Sequence, residues 1–183
     1  MIAPLLLSLA LAGAGDELPP DSLYHLEVPL EAASGELLEL DAFRGRPVLV
    51  SLFYARCPHT CPMLISALER VDAALDDDER AALRVLLVSL TPERDTPDVL
   101  REVIAKRGID EARWSLTRPR PEDLRALAAA LSIRYRALPD GSVNHTGALV
   151  LLDREGRVAA RTTSLLATDP TFLAAVKAHA REP

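Results

Sequence analysis

The sequence predicts an α/β fold: a central mixed β-sheet flanked by helices, with an N-terminal β-hairpin. Three observations carry this expectation. Residues 47–54 and 85–90 are short apolar runs suited to strands buried on both faces of a parallel sheet. Each run is followed by apolar residues at helical spacing, which gives βαβ order. Residues 147–152 and 158–162 bracket the turn Asp153-Arg154-Glu155-Gly156, the pattern of a hairpin.

Taken in order, the proline-rich stretch Leu18-Pro19-Pro20 precedes residues 23–30 and 36–40, which flank the turn composition Ala32-Ala33-Ser34-Gly35 and predict the N-terminal hairpin. The run 47–54 follows, and the cysteine segment comes directly after it. From Pro62 the residues Leu64, Leu68, Val71 and Leu75 predict an amphipathic helix, and the acidic run Asp76-Asp77-Asp78-Glu79 reads as a solvated connection. Beyond the strand at 85–90, Thr96 supplies an N-cap and Pro97 an N1 proline for a helix carrying Leu100, Val103 and Ile104. Trp114-Ser115-Leu116 reads as a third short strand, and Pro121 opens a helix with Leu124, Leu127 and Leu131 on its inner face. Asp169-Pro170 starts a last helix that buries Phe172, Leu173 and Val176. A cysteine motif placed between the first core strand and its helix makes this the layout of a thioredoxin-like domain. Such a fold hosts many functions, so function has to be argued from the site.

The 183 residues, 49% of them hydrophobic, suffice for one domain with a core of its own. Lysine and arginine number 21 against 27 acidic residues, a formal charge of -6 with no dense basic cluster, which argues against nucleic acid as a partner. Residues 1–15 are almost wholly apolar, and the polar pair Asp16-Glu17 follows. Ala10, Ala12 and Ala14 fit an A-x-A-like cleavage site, while the run is short for a membrane-spanning helix. Residues 1–17 are therefore expected to be a signal peptide or a truncated membrane-targeting leader, and residues 18–183 the folded domain. The expected location is extracytoplasmic, in the periplasm or on a membrane facing it.

Arg56-Cys57-Pro58-His59-Thr60-Cys61-Pro62 places two thiols four residues apart where a strand gives way to a helix. If that segment is helical, the two Cα atoms lie about 6 Å apart, so the pair can be bridged or can grip one ion. A helix N-terminus and the neighbouring Arg56 both favour thiolate, raising nucleophilicity and metal affinity together. Dedicated dithiol exchange proteins use Cys-x-x-Cys, which is absent here. Two thiolates with one imidazole suit a soft ion of low coordination number, Cu(I) foremost, whereas tetrahedral zinc needs a fourth donor. A plain structural disulfide is the bland alternative.

Three separated stretches resemble the Sco/SenC family, copper-handling proteins that help assemble the binuclear copper centre of cytochrome c oxidase. They are residues 53–62, with an aromatic strand end and Cys-Pro-x-x-Cys-Pro; residues 88–97, ending Pro92-Glu93-Arg94-Asp95-Thr96-Pro97; and Val143-Asn144-His145-Thr146 ahead of the hairpin. Their order and separation are more specific than any one motif. The resemblance implies a thioredoxin fold in which Cys57, Cys61 and His145 bind one copper ion, with an oxidase subunit as client. Two positions depart from the family pattern: His59, where an aspartate is frequent, and Thr91, where Val-Asp-Pro is usual. Neither is an expected ligand.

Read alone, His145 is a hydrogen-bonded surface group on a loop; the resemblance makes it the third ligand. His59 lies within reach of the site, Met63 reads as core at the start of a helix, Asp95 as a polar loop or near-cap residue for which the resemblance implies a supporting role behind the ligands, and Tyr54 as packing beside the cysteine segment. Two functions fit. The first is a Cu(I) metallochaperone that passes its ion to a client by ligand exchange and needs all three ligands. The second is a thiol-disulfide oxidoreductase working through Cys57 and Cys61, which needs no histidine. A peroxiredoxin-type peroxidase is disfavoured, since Tyr54 and Pro58 stand where its threonine is required.

Overall fold

The computed structural model describes residues 17–56 and 60–182, with the side chains of Thr60 and Cys61 left aside. All but Glu17 of the expected leader lies outside the described residues. No helix among the described residues is long and apolar enough to cross a membrane.

Among the described residues seven strands form one mixed sheet, in the order β2 (Leu37–Leu38), β1 (Leu30–Ala32), β5 (Trp114–Pro119), β4 (Arg84–Ser89), β3 (Val48–Phe53), β8 (Leu149–Leu152) and β9 (Val158–Thr162). Its centre is β3 (Val48–Phe53), whose six residues are all buried. Parallel pairing joins β3 to β4 (Arg84–Ser89) and β4 to β5 (Trp114–Pro119). On the far side of β3 runs β8 (Leu149–Leu152), antiparallel, followed by β9 (Val158–Thr162). Continuous Val/Leu runs suit strands covered on both faces, and Leu49, Leu52, Leu87 and Leu151 are fully buried. At the opposite edge, β1 (Leu30–Ala32) pairs antiparallel with β5 and with the two-residue β2 (Leu37–Leu38). The N-terminal hairpin is thus present but much shorter than expected. Residues 23–25 form a 3₁₀ turn capped by Ser22, whose hydroxyl accepts the Tyr24 amide at 3.1 Å.

Helix α1 (Thr60–Ala73) buries Leu64, Leu68 and Val71 as its periodicity requires, and Pro62 sits in the first turn, where its missing N–H costs no intrahelical bond. Helix α3 (Pro97–Arg107) starts at the Thr96 cap and ends at Gly108, at φ +62°. Helix α4 (Leu124–Ala130) buries Leu124, Leu127 and Ala128; α5 (Pro170–Arg181) is capped by Asp169 and buries Phe172 and Val176.

Two expectations about the first helical layer are corrected. The acidic run is no mere connection. Asp76 caps a helix of its own, α2 (Asp77–Ala82), through a reciprocal capping box with Glu79. Glu79 is only 1% exposed, because Arg181 and Lys177 of α5 approach its carboxylate at 2.6 and 3.7 Å. Met63 is exposed rather than core, since the helix turns Leu64 and Ile65 inward instead.

A separate two-stranded ribbon, β6 (Tyr135–Ala137) and β7 (Val143–His145), stands outside the main sheet. The segment before β8 is therefore paired strand rather than loop. Gly141, at φ +80°, makes the turn between its strands.

Candidate metal centre

The site is built from three segments that converge at the C-terminal ends of β3 and β4. Cys57 and His59 lie outside the described residues. Cys61 is the second residue of α1, so its backbone belongs to the first turn of a helix directly after the strand exit. Tyr54, 7% exposed, follows β3 and leads into the cysteine segment.

His145 closes β7 opposite Tyr135. Its ring meets that of Tyr54 edge-on, with centroids 6.1 Å apart and planes at 73°. The ribbon thereby brings an imidazole from far along the chain against the residue three places before Cys57. Both ring nitrogens of His145 are buried, and neither has a hydrogen-bond partner among the described residues. Burial holds the imidazole below its ordinary value of 6.5, with the Thr146 backbone pulling the other way. A half-buried, neutral imidazole whose two nitrogens are buried and unsatisfied is a costly arrangement for the protein alone, and a soft cation would satisfy it. The residues present therefore fit a metal of the Cu(I) type, with Cys57 and Cys61 as the thiolates that would complete the set.

Asp95 is the residue that sequence reasoning undervalued. It is 1% exposed and binds three neighbours through Oδ2: the Ala55 amide donates at 3.1 Å, the Ser89 hydroxyl at 2.6 Å and the Thr91 hydroxyl at 3.0 Å. Its Oδ1 is buried with no partner among the described residues. The carboxylate therefore ties the strand exit of β3 to that of β4. The only sequence signal was its setting in Pro92-Glu93-Arg94-Asp95-Thr96-Pro97. One residue earlier, Arg94 donates from Nη1 to the Gly141 carbonyl at 2.6 Å and fastens the ribbon turn to the same loop. A cavity of about 280 Å³ beside these residues is lined by Tyr54, Arg56, Arg94, Asp95 and Asp140, among others. His25 is exposed, and His179 contacts Glu182 at 3.2 Å on α5; neither comes near this site.

Residues 27–181 match the family model described as SCO1/SenC. A protein of Stutzerimonas stutzeri that carries a copper-binding name is 26% identical over 135 residues, 70% of this chain and 64% of that relative. The chain thus matches less than two thirds of that relative's length. Among solved structures, Bradyrhizobium japonicum ScoI with copper bound superposes with a TM-score of 0.67 at 21% identity, covering 83% of this chain and 96% of that one. BsSco, described as having a disulfide switch and as a member of the Sco family of cytochrome c oxidase assembly proteins, gives a TM-score of 0.73 at 18% identity, covering 86% and 94%. These likenesses bear on the fold, which matches the thioredoxin-like expectation.

Proposed function

Because the chain belongs to the SCO1/SenC family, we propose that it is a copper(I) metallochaperone that holds one ion through Cys57, Cys61 and His145 and passes it to a client protein, a copper-bearing subunit of cytochrome c oxidase. The observation that carries this reading is the half-buried His145 ring, its two nitrogens buried without a hydrogen-bond partner among the described residues, packed on Tyr54 at the mouth of the cysteine segment.

Each residue has a task in the chemistry. Cys61 belongs to the first turn of α1, and a helix N-terminus favours thiolate over thiol. His145 offers a neutral nitrogen, because burial disfavours its protonated form. Asp95 holds Ala55 in place, and Tyr54 covers one side of the imidazole. Three soft or borderline donors stabilise Cu(I) while leaving room for an incoming client thiolate, so the ion is exchanged between ligand sets without changing its charge. The domain is extracytoplasmic in this reading, supported by the apolar leader composition of residues 1–15, which also provides for association with a membrane.

Competitive Cu(I) titration of the reduced protein tests the reading. One ion per chain is expected, with binding severely weakened in Cys57→Ser, Cys61→Ser and His145→Ala. The helix-start position of Cys61 also supports a second reading, a thiol-disulfide oxidoreductase that needs no metal. Full reductase activity of metal-free protein, unchanged in His145→Ala and with no stoichiometric copper complex, would favour it instead.

A further inference from the structure

Beside the cysteine segment lies a cavity of about 390 Å³ lined by Ala55, which leads into the segment, Pro62, which follows it, the apolar Ile65 and Val103, and the cations Lys106 and Arg107. No carboxylate lines it among the described residues. Lys106 and Arg107 make no ion pair with any described carboxylate, whereas Arg101 on the same helix pairs with Asp98. Two further cations, Arg56 and Arg94, line the neighbouring cavity, also without a carboxylate partner among the described residues, although Asp140 and the buried Asp95 border it. This local excess of positive charge sits on a chain whose formal charge is -6. Met63, one residue past Pro62, adds an exposed apolar side chain at the start of α1.

We propose that this groove is the docking surface for the client, and that the client presents an acidic segment with an apolar side chain to it. The inference rests on the copper-transfer reading and adds the chemistry of the partner. Basic residues in the last turn of a helix complement its dipole wherever they stand. Here they also line a cavity of mixed polar and apolar lining, flanked by both ends of the sulfur-bearing segment, where an incoming protein must lie to exchange ligands. At physiological ionic strength charges act over about 8 Å, so these cations, not the net charge of the chain, govern the last step of approach.

Two synthetic peptides of equal length, each with a Cys-x-x-x-Cys pair flanked either by glutamates or by lysines, provide the probes. Stopped-flow transfer of Cu(I) from the loaded protein should be roughly tenfold faster to the glutamate peptide at low ionic strength, with the preference collapsing at about 1 M salt. Lys106→Gln/Arg107→Gln should sharply reduce the preference and Lys106→Glu/Arg107→Glu should invert it, with Cu(I) affinity unchanged and the melting temperature lowered only slightly, by the lost complement to the helix dipole. Equal rates for the two peptides, a lysine preference in the wild type, or a preference that survives charge reversal would overturn the proposal. A metal-free arm separates this inference from the copper reading. The reduced Cys57/Cys61 pair gives two electrons and two protons to the oxidised peptide, forming its own disulfide while the peptide leaves as a dithiol. A glutamate preference here, in a protein that binds no copper, would retain the docking surface and remove the metal.

Discussion

The Asp95 carboxylate accepts the backbone N–H of Ala55 at 3.1 Å, so the loop after β4 holds the chain two residues before Cys57. One oxygen, Oδ2, carries all three of the side-chain hydrogen bonds that Asp95 makes among the described residues. Asp95→Ala would leave the Ala55 amide and two hydroxyls without their acceptor. It should cost about 1–3 kcal/mol in urea unfolding and weaken Cu(I) binding as well. Asp95→Asn keeps an acceptor oxygen and should recover most of both losses; equal damage from the two variants would remove the positioning role.

His145 gives the opposite sign for stability and for binding. Its ring nitrogens lack partners among the described residues, so His145→Phe replaces a poorly satisfied polar ring with an apolar one of similar shape. The metal-free variant should melt at or above the wild-type temperature, while Cu(I) affinity falls on the order of a hundredfold or more by competition titration. Loss of stability together with unchanged affinity would count against the ligand role.

Glu79 is a purely architectural prediction. Its carboxylate closes the capping box of α2 and meets Arg181 and Lys177 of α5. Glu79→Ala should destabilise the fold by about 1–3 kcal/mol by chemical denaturation and leave metal stoichiometry untouched.

Asp169 links helix α5 to pH. Its carboxylate accepts the Phe172 and Thr171 amides and the Thr162 hydroxyl, which hold it below its ordinary value of 3.8. A depressed folded-state value means this contribution is complete above the unfolded value and is lost as pH falls through the folded one. Asp169→Asn should therefore flatten the acid limb of the stability-pH profile below about pH 4, measured by thermal melts, and leave the neutral region nearly parallel to wild type.

Much of the scaffold was legible because β3, β4 and β8 are continuous apolar runs and the caps Thr96 and Asp169 announce their helices. The acidic run misled because four carboxylates in sequence look solvated, while the cations that bury Glu79 sit about a hundred residues later. Met63 misled because an apolar residue at a helix start has two faces to choose from, and Leu64 and Ile65 took the inner one. The sequence named His145 only through resemblance. What makes it a candidate ligand, the loss of hydrogen-bond partners on burial against Tyr54, is a tertiary fact. Asp95 was undervalued for the same reason: its amide and hydroxyl partners come from two different strand exits.

The ribbon of β6 and β7 is not hydrogen-bonded into the seven-stranded sheet, and Arg94 clips its turn to the loop after β4. Two strands alone are marginally stable, so the ribbon can peel away for far less free energy than it takes to melt the central strands. A cargo gripped in part from such a flap can be surrendered by local breathing, with the scaffold intact and ready to reload. Tightening that flap, by filling the turn or stiffening its clip, would slow release before it improved retention at equilibrium.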